Sequence, residues 1–498
     1  MKHFVWGVIL GCFAICYLTA GENPELPEAW TRYLARRTKT PHSFQVEARL
    51  VSFDADEIEG LERAHGGPLP GSAYVELWQK GRGEQITEIR LLCPPGGHTS
   101  TESDQRHRYP TAMAFDPDNP DMLMEIEHEE RALGFPLSIF AHASTPEHSY
   151  LMVIAEYTRR LHPPESPWPQ LDRMSPRFGF WELSTSVSIP NGQTMTISVS
   201  SARDTNRRKA LLLTSTPLDE DSEPILPPSR QKNGFSEMLV CTQTPRALHS
   251  LMEKPVIPRD QIPPPIASEE VQAFLSKKHG ITFPEGTMVR HLPDHSAIWI
   301  RNTPENLRKL KLDSFWRGHD VPTLATQLRV VSVDAARVDA LERKSGLPFS
   351  TREVLDLWKE GQAKTLWVQR VQSFSSLNAF VDTGEDHLFP KQSEVRKERE
   401  DTPLFSDFEP RRTGWVLDVT PRSPWHGRTI DLILQPRWTE RKAEEDDDPL
   451  RPVFVESEMN SIIHLQTGNH QLLGHTSSPD GKERHYWLLW TDRLPTGQ

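Results

Sequence analysis

Residues 48–81, ARLVSFDADEIEGLERAHGGPLPGSAYVELWQKG, return without a gap at residues 328–361 as LRVVSVDAARVDALERKSGLPFSTREVLDLWKEG, an offset of 280 positions. Identical pairs include Arg49/Arg329, Val51/Val331, Ser52/Ser332, Asp54/Asp334, Ala55/Ala335, Leu61/Leu341, Glu62/Glu342 and Arg63/Arg343. Gly66/Gly346, Pro68/Pro348, Leu77/Leu357, Trp78/Trp358 and Gly81/Gly361 complete the set. Self-similarity at a fixed offset marks a repeated supersecondary unit. The β-branched run Leu328–Val333 predicts a strand. Asp334 fits a helix N-cap, with Val338 and Leu341 on one face. Gly346-Leu-Pro348 breaks the chain. Ser350 and Glu353 then form a capping box that opens a second helix, whose apolar stripe is Val354, Leu357 and Trp358 and whose end is Gly361.

Working outward, the same offset pairs Gly134-Phe135 with Gly414-Trp415 and Leu137 with Leu417. One inserted residue later, Tyr157-Thr158 meets Trp438-Thr439; a smaller offset matches Gly192 with Gly468 and Leu212-Leu213 with Leu488-Leu489. A strand is expected at Thr365–Val371, with its counterpart at Ile86–Leu92. Hairpins are expected from Gly414–Thr420 with Thr429–Leu434, and from Leu137–Ala141 with Tyr150–Ile154. A last pair of strands surrounds Asn191-Gly192 in one unit and Thr467-Gly468 in the other. The fold class is α+β: two homologous β-rich modules, strand–helix–helix and then antiparallel strands, with a small α/β module between them.

The expected organisation is a signal peptide at 1–21, an N-terminal linker at 22–44 and modules at 45–220 and 326–498. A Pro-rich connection at 221–265 and a small module at 266–313 lie between. In the small module Glu269–His279 predicts a helix closed by Gly280, Ile281–Phe283 a short strand, and Ala297–Ile300 a second strand. Thr303 caps a helix that Pro304 opens. Leu239–Leu248 is a weaker echo of that strand–Thr-Pro–helix run. The segment Lys2-His3, apolar Phe4–Leu18 and small Thr19–Gly21 has the order of a secretory signal. Cleavage near Gly21, retention as an anchor and lipidation at Cys12 all stay open. Beyond it, no stretch is long and apolar enough to span a bilayer as a helix.

A net charge of -12 argues against nucleic acid as a partner. Outside the signal, Cys93 and Cys241 fall in different predicted units and read as separate thiols, although an oxidising compartment permits a bridge. The twenty histidines include no H-E-x-x-H, and C-x-x-C is absent. His142, His148, His464, His470 and His475 read as turn or surface residues. Asp116, Asp118 and Asp121 lack the ligand count of an EF-hand. Glu444–Asp448 reads as a solvated loop. Neither G-x-S-x-G nor a phosphate-binding glycine loop occurs. Trp78/Trp358 and Phe135/Trp415 read as core aromatics. No catalytic, cofactor-binding or metal residue is therefore assigned, no cofactor is expected, and the chain reads as non-enzymatic.

These units resemble the C-terminal domain of bacterial secretins, the outer-membrane ring proteins of type II and III secretion and of type IV pili. Gln45–Val51 resembles the family's opening strand. Val354–Gly361 followed by Ala363–Leu366 and Gln369–Val371 is similar to its helix-then-strand element, and Asp382-Thr-Gly-Glu385 to the following turn. Gly414-Trp-Val-Leu-Asp-Val-Thr-Pro421 and Ser186-Val-Ser-Ile-Pro-Asn-Gly-Gln-Thr194 resemble two family strands. Ala297–Leu307 resembles the secretin short N-terminal domain. The pore-forming hairpins are missing from this pattern: the first strand runs straight into the Asp54 or Asp334 helix, and Lys391–Pro410 is too charged to face lipid. The family's closing segment is also absent, unless Leu213–Leu218 is a remnant.

The resemblance implies a periplasmic or secreted envelope protein. Its expected partners are other envelope proteins or further copies of itself, engaged through sheet edges. It further implies a link to a secretion or pilus apparatus. Two alternatives stand beside this reading, a soluble module recognising a glycan or protein and, less favoured, a secreted hydrolase.

Overall fold

A computed structural model describes residues 26–37, 41–102, 105–115, 123–144, 148–161, 177–201, 206–226, 231–232, 235–241, 247–255, 258, 261–295, 297–311, 323–345, 349–394, 404–422, 429–442, 453–478 and 480–494. The signal segment, Asp116–Asp121 and Glu444–Asp448 lie outside the described residues.

The chain opens with helix α1 (Glu28–Arg37). The first half then runs β1 (Ser43–Asp54), α2 (Ala55–His65), α3 (Gly71–Gln79), β2 (Glu84–Cys93), β3 (His98–Thr101), β4 (Arg106–Phe115) and β5 (Leu123–Ala132). It continues through β6 (Leu137–Ser144), β7 (His148–Leu161), β8 (Arg177–Pro190), β9 (Thr194–Ser201) and β10 (Arg207–Leu218). A middle stretch holds β11 (Gln231–Lys232), β12 (Phe235–Cys241), α4 (Ala247–Leu251), α5 (Ser268–His279), β13 (Met288–Leu292), β14 (Ala297–Asn302) and α6 (Pro304–Lys311). The second half begins with β15 (Thr323–Asp334), α7 (Ala335–Ser345), α8 (Thr351–Lys359), β16 (Lys364–Phe374) and β17 (Ala379–Glu394). It ends with β18 (Leu404–Arg422), β19 (Thr429–Lys442), β20 (Val453–Glu458), β21 (Ser461–Gln466), β22 (His470–Ser477) and β23 (Glu483–Arg493).

Two compact units result, and they redraw the expected boundaries. Residues up to Pro41 join Asp219–Asp320, while His42–Leu218 joins Val321–Gln498. The modules expected at 45–220 and 326–498 are therefore one body. The linker expected at 22–44 contains α1, because Trp30, Tyr33 and Leu34 form an i, i+3, i+4 stripe that packs on Ile225, Leu292, Ala297 and Trp299. The connection expected at 221–265 supplies β12 and α4: β12 is antiparallel to β14, from Ser236↔Asn302 to Cys241↔Ala297. Alternation along β14 turns Ala297 and Trp299 toward α1, and Ile298 and Ile300 toward Val271, Leu275 and Leu307. The strand expected at Ile281–Phe283 is not formed. Asn302 and Asn306 Nδ2 both donate to the Thr282 carbonyl at 2.9 Å, occupying the acceptor a ladder would need. Met288–Leu292 pairs with β14 in its place.

In the larger unit the local signals are realised as side-chain caps. Asp54 Oδ1 accepts the Glu57 N–H at 2.9 Å, and Asp334 Oδ1 that of Arg337 at 2.8 Å. Ser350 and Glu353 close the capping box on α8. The strands form an eight-stranded sheet, order β2-β1-β10-β9-β16-β15-β23-β22. A nine-stranded sheet has the order β20-β19-β18-β17-β8-β7-β6-β3, with β21 also on β19. The hairpin β4–β5 stands apart. Strands flank Asn191-Gly192 and Thr467-Gly468 as expected, and the turns at Gly192 and Gly468, at φ 72° and 79°, are not hairpin turns. Each passes the chain from the nine-stranded sheet to the eight-stranded one, since β8 pairs with β7 and β17 while β9 pairs with β10 and β16.

The larger sheet-to-sheet core contains Leu50, Trp181, Val187, Leu328, Trp367, Trp415, Leu432 and Trp487. Trp415 stacks between Trp367 at 4.6 Å and Trp438 at 4.8 Å. The opposite face of the eight-stranded sheet is covered by α2 and α3 in one half (Val51, Phe53, Tyr74) and by α7 and α8 in the other (Val331, Val333, Trp358). With both faces covered, β15 is buried along its length instead of alternately, from Thr323 to Val333.

The halves repeat in register as well as in order. Carried forward by the sequence offsets, Arg49↔Leu212 becomes Arg329↔Leu488, and Gly134↔Thr158 becomes Gly414↔Thr439. The bulge at Leu50/Val51 recurs at Val330/Val331. Gly384 and Gly414 face each other in β17–β18, and a Cβ on Gly384 would lie 1.8 Å from the Thr413 carbonyl oxygen. Gly384→Ala should therefore destabilise the larger unit by about 1–3 kcal/mol or more, and Ser350→Ala by about 1 kcal/mol. Both are measurable as shifts in a urea unfolding midpoint.

Candidate functional site

The two halves meet where β9 pairs with β16, through Gln369↔Ser200, Arg370↔Val199 and Val371↔Ser198. In the outer sheet β8 pairs with β17, from Phe380↔Ser184 to Asp386↔Phe178. The inner ladder is short, so side chains carry much of the joint. Val368 N–H donates to Ser201 Oγ at 2.8 Å, extending the ladder by one rung.

Beside it lies a buried charge cluster. Glu62 on α2 is 0% exposed. Its Oε2 accepts from Arg208 Nη1 on β10 and from Arg329 Nη2 on β15, both at 2.6 Å. The first arginine belongs to the same half and the second to the other half. Burial alone would push the Glu62 carboxyl up, but the two guanidiniums override it and hold it at about 2. Arg329 lies 4.1 Å over the Trp358 ring. The Trp358 indole N–H and Thr365 hydroxyl both donate to Glu59 Oε1, at 3.2 and 2.9 Å. Arg370, also buried, donates to the Leu69 carbonyl of the other half. A cleft of about 810 Å³ opens beside the cluster, lined by Asp56, Glu59, Arg63, Asn206, Lys364 and Glu483 among others. Its lining includes neither His nor Cys. What this arrangement does chemically is pair charge across a seam.

The residues weighed from sequence are scattered. His142 is exposed at the end of β6 and His148 starts β7. His464 bonds Asp431 at 2.6 Å in solvent. His470 sits on β22, where burial, with Arg329 and Lys359, pushes its imidazole down to about 4. His475 is exposed on the same strand. Among the described residues no three His, Cys, Asp or Glu converge on a metal position. Trp358, Phe135 and Trp415 are buried in the cores, and Trp78 is half-buried beneath Arg49. Cys93 is a free, buried thiol; the Cys241 side chain lies outside the described residues. Sequence reasoning passed over Arg208 and Arg370. A signal existed: Arg370 matches Arg90 at the 280 offset, each inside an apolar strand, and Arg208 matches Arg484 at 276, each in the charged opening of its strand.

No family model matches the chain, and no curated protein matches it significantly. Among solved structures it is similar to the InvG secretin domain β-barrel of the Salmonella SPI-1 injectisome. That match has 13% identity and a TM-score of 0.22, covering 52% of this chain and 88% of that one. It is also similar to the type II secretion secretin GspD of E. coli K12, at 13% identity and a TM-score of 0.20, covering 57% and 69%. The PilQ secretin of the V. cholerae type IV competence pilus matches at 10% identity and a TM-score of 0.21, covering 53% and 78%.

Removing the shared carboxylate would leave two buried guanidiniums facing each other. Glu62→Gln should therefore cost about 3–5 kcal/mol. Because the Glu62 pKa is lower in the folded state than its ordinary 4.5, its stabilisation is complete above about pH 4.5 and is lost as pH falls toward 2. Urea unfolding at pH 7 and at pH 3 should show a larger difference between wild type and Glu62→Gln at pH 7.

Proposed function

We propose that this chain is a non-enzymatic structural protein of the bacterial cell envelope, built from two secretin-like modules and a small secretin N-terminal-like module. It works through protein–protein contacts made at sheet edges, in association with a secretion or pilus apparatus. The observation that carries the reading is the joint. Within one chain, two β-rich halves are held together by edge-strand pairing and a charge cluster that neither half completes alone. Among the described residues β2 and β22 are the edge strands of the eight-stranded sheet, and sheet edges are where a further chain pairs. The order of motifs from Gln45 to Pro421 supports the secretin-like assignment of the modules. The signal-like residues 1–21 support export.

The test is recovery of the tagged chain from the bacterium that carries it. The expected result is an envelope fraction in which the chain travels in assemblies several times the mass of one chain, together with secretion or pilus components. A cytoplasmic monomer overturns the reading.

A further inference from the structure

Between the two sheets, beside the seam, two rows of side chains face each other. In the eight-stranded sheet Lys209 on β10 lies opposite Ser200 on β9, which lies opposite Gln369 on β16. In the nine-stranded sheet Tyr157 on β7 lies opposite Trp181 on β8, which lies opposite Thr383 on β17. Directly opposed residues share a face of their sheet. Both rows turn into the inter-sheet core: Trp181 belongs to it, Tyr157 packs on it, and Gln369 lies between its members Trp367 and Val371. Lys209 joins the rows, its Nζ 4.7 Å from the centre of the Tyr157 ring.

The rows are rich in donors without acceptors. Among the described residues the Trp181 indole N–H, both amide atoms of Gln369 and the Thr383 hydroxyl are buried without a hydrogen-bond partner. Gln369 is 0% and Trp181 1% exposed. Lys209 is half-buried and has no carboxylate partner among the described residues. Its cross-strand neighbours are Ser52 and Ser200. The charge that reaches it is that of Arg159, two residues beyond Tyr157 and exposed. Burial and this like charge push the Lys209 ammonium down to about 8. Arg207, the next cation along β10, is already held by Glu84 at 2.7 Å. A desolvated ammonium beside a guanidinium, backed by unmatched N–H groups, is an environment complementary to negative charge.

The second half carries the complement in its own chain. At the repeat offsets Tyr157 becomes Trp438, Lys209 becomes His485 and Arg159 becomes Glu440. Trp438 and His485 keep the contact, with ring centres 5.4 Å apart. Glu440, 4% exposed, puts a carboxylate on the strand where the first half has a guanidinium. We propose that the first half binds a carboxylate between Lys209 and Arg159, with the Trp181 indole and the Gln369 amide as further donors. The planar group suits the guanidinium fork of Arg159 on its outer side and the ammonium on its inner side. Its source is a small organic acid or an Asp or Glu side chain of a partner protein. Neither source depends on membership of a secretion or pilus apparatus.

Calorimetric titration of the full-length chain with succinate and with hexaglutamate tests the site. Binding of either at pH 7 upholds it, and the tighter of the two identifies the source. Binding of neither overturns it, as does inorganic phosphate bound in preference to both. Arg159→Glu gives the first half the residue of the second and should lower the affinity about tenfold or more. Lys209→Met should do the same, and Trp181→Phe, which removes one donor and keeps a ring, should lower it by a smaller factor. An unchanged affinity in Arg159→Glu or Lys209→Met, with circular dichroism unchanged, overturns the assignment. The pH dependence needs no variant. Lys209 must be charged to bind, so the affinity should fall by about tenfold between pH 7 and pH 9.5, whereas a site built on surface lysines of ordinary pKa would change little over that range. An affinity that holds steady to pH 9.5 overturns the role of Lys209. Carboxylate binding by a chain recovered as a cytoplasmic monomer would uphold this site and overturn the functional reading alone.

Discussion

A single carboxylate, Glu62, is shared between an arginine of its own half and an arginine of the other, and the larger unit depends on that sharing. The second half does not satisfy its own charge: Glu62 and Arg208 pair within the first half, but without Glu62 Arg329 would be a buried cation on β15. The inner ladder at the seam is only a few residues long. A slip of one residue there would turn every side chain to the opposite face and strand the guanidiniums. Buried ion pairs add little net stability over apolar packing, but a misaligned one is costly. The cluster thus acts on the choice of alignment more than on the depth of the energy well.

Around that seam the fold is three-layered. Helix pairs cover one face of the eight-stranded sheet and the nine-stranded sheet covers the other. Central strands such as β15 and β16 therefore lose the alternation of exposure that a one-sided sheet would show, and their polar residues, Gln327, Arg329, Gln369 and Arg370 among them, are buried with the apolar ones. The aromatic stack of Trp367, Trp415 and Trp438 fills the inter-sheet space of the second half. At the matching positions the first half has Thr87, Phe135 and Tyr157, so the repeat preserves backbone register while the packing between sheets has diverged.

Local chemistry was legible from the sequence, and long-range choice was not. Asp54, Asp334, Ser350 and Pro304 announced helix starts because capping is decided within four residues. The offsets at 280 and 276 announced the repeat. Nothing in periodicity says which edge of one half meets which edge of the other, so the halves read as separate domains. The same blindness separated β12 from β14, although the echo at Leu239–Leu248 was visible. Helix α1 was missed despite its Trp30–Tyr33–Leu34 stripe, because one turn of pattern between prolines and charges resembles a linker until its partners Leu292 and Trp299 are known. At 281–283 an apolar run suggested a strand, and two asparagine side chains, from 302 and 306, had already claimed the backbone. The interface arginines were legible only as paired departures from hydrophobicity.

Carrying both halves on one polypeptide fixes the stoichiometry of anything built from them. Repeats enter two at a time, and the two of a pair are not interchangeable, because their sequences have diverged. The smaller unit, formed by the insertion between the halves together with α1, then recurs once per pair.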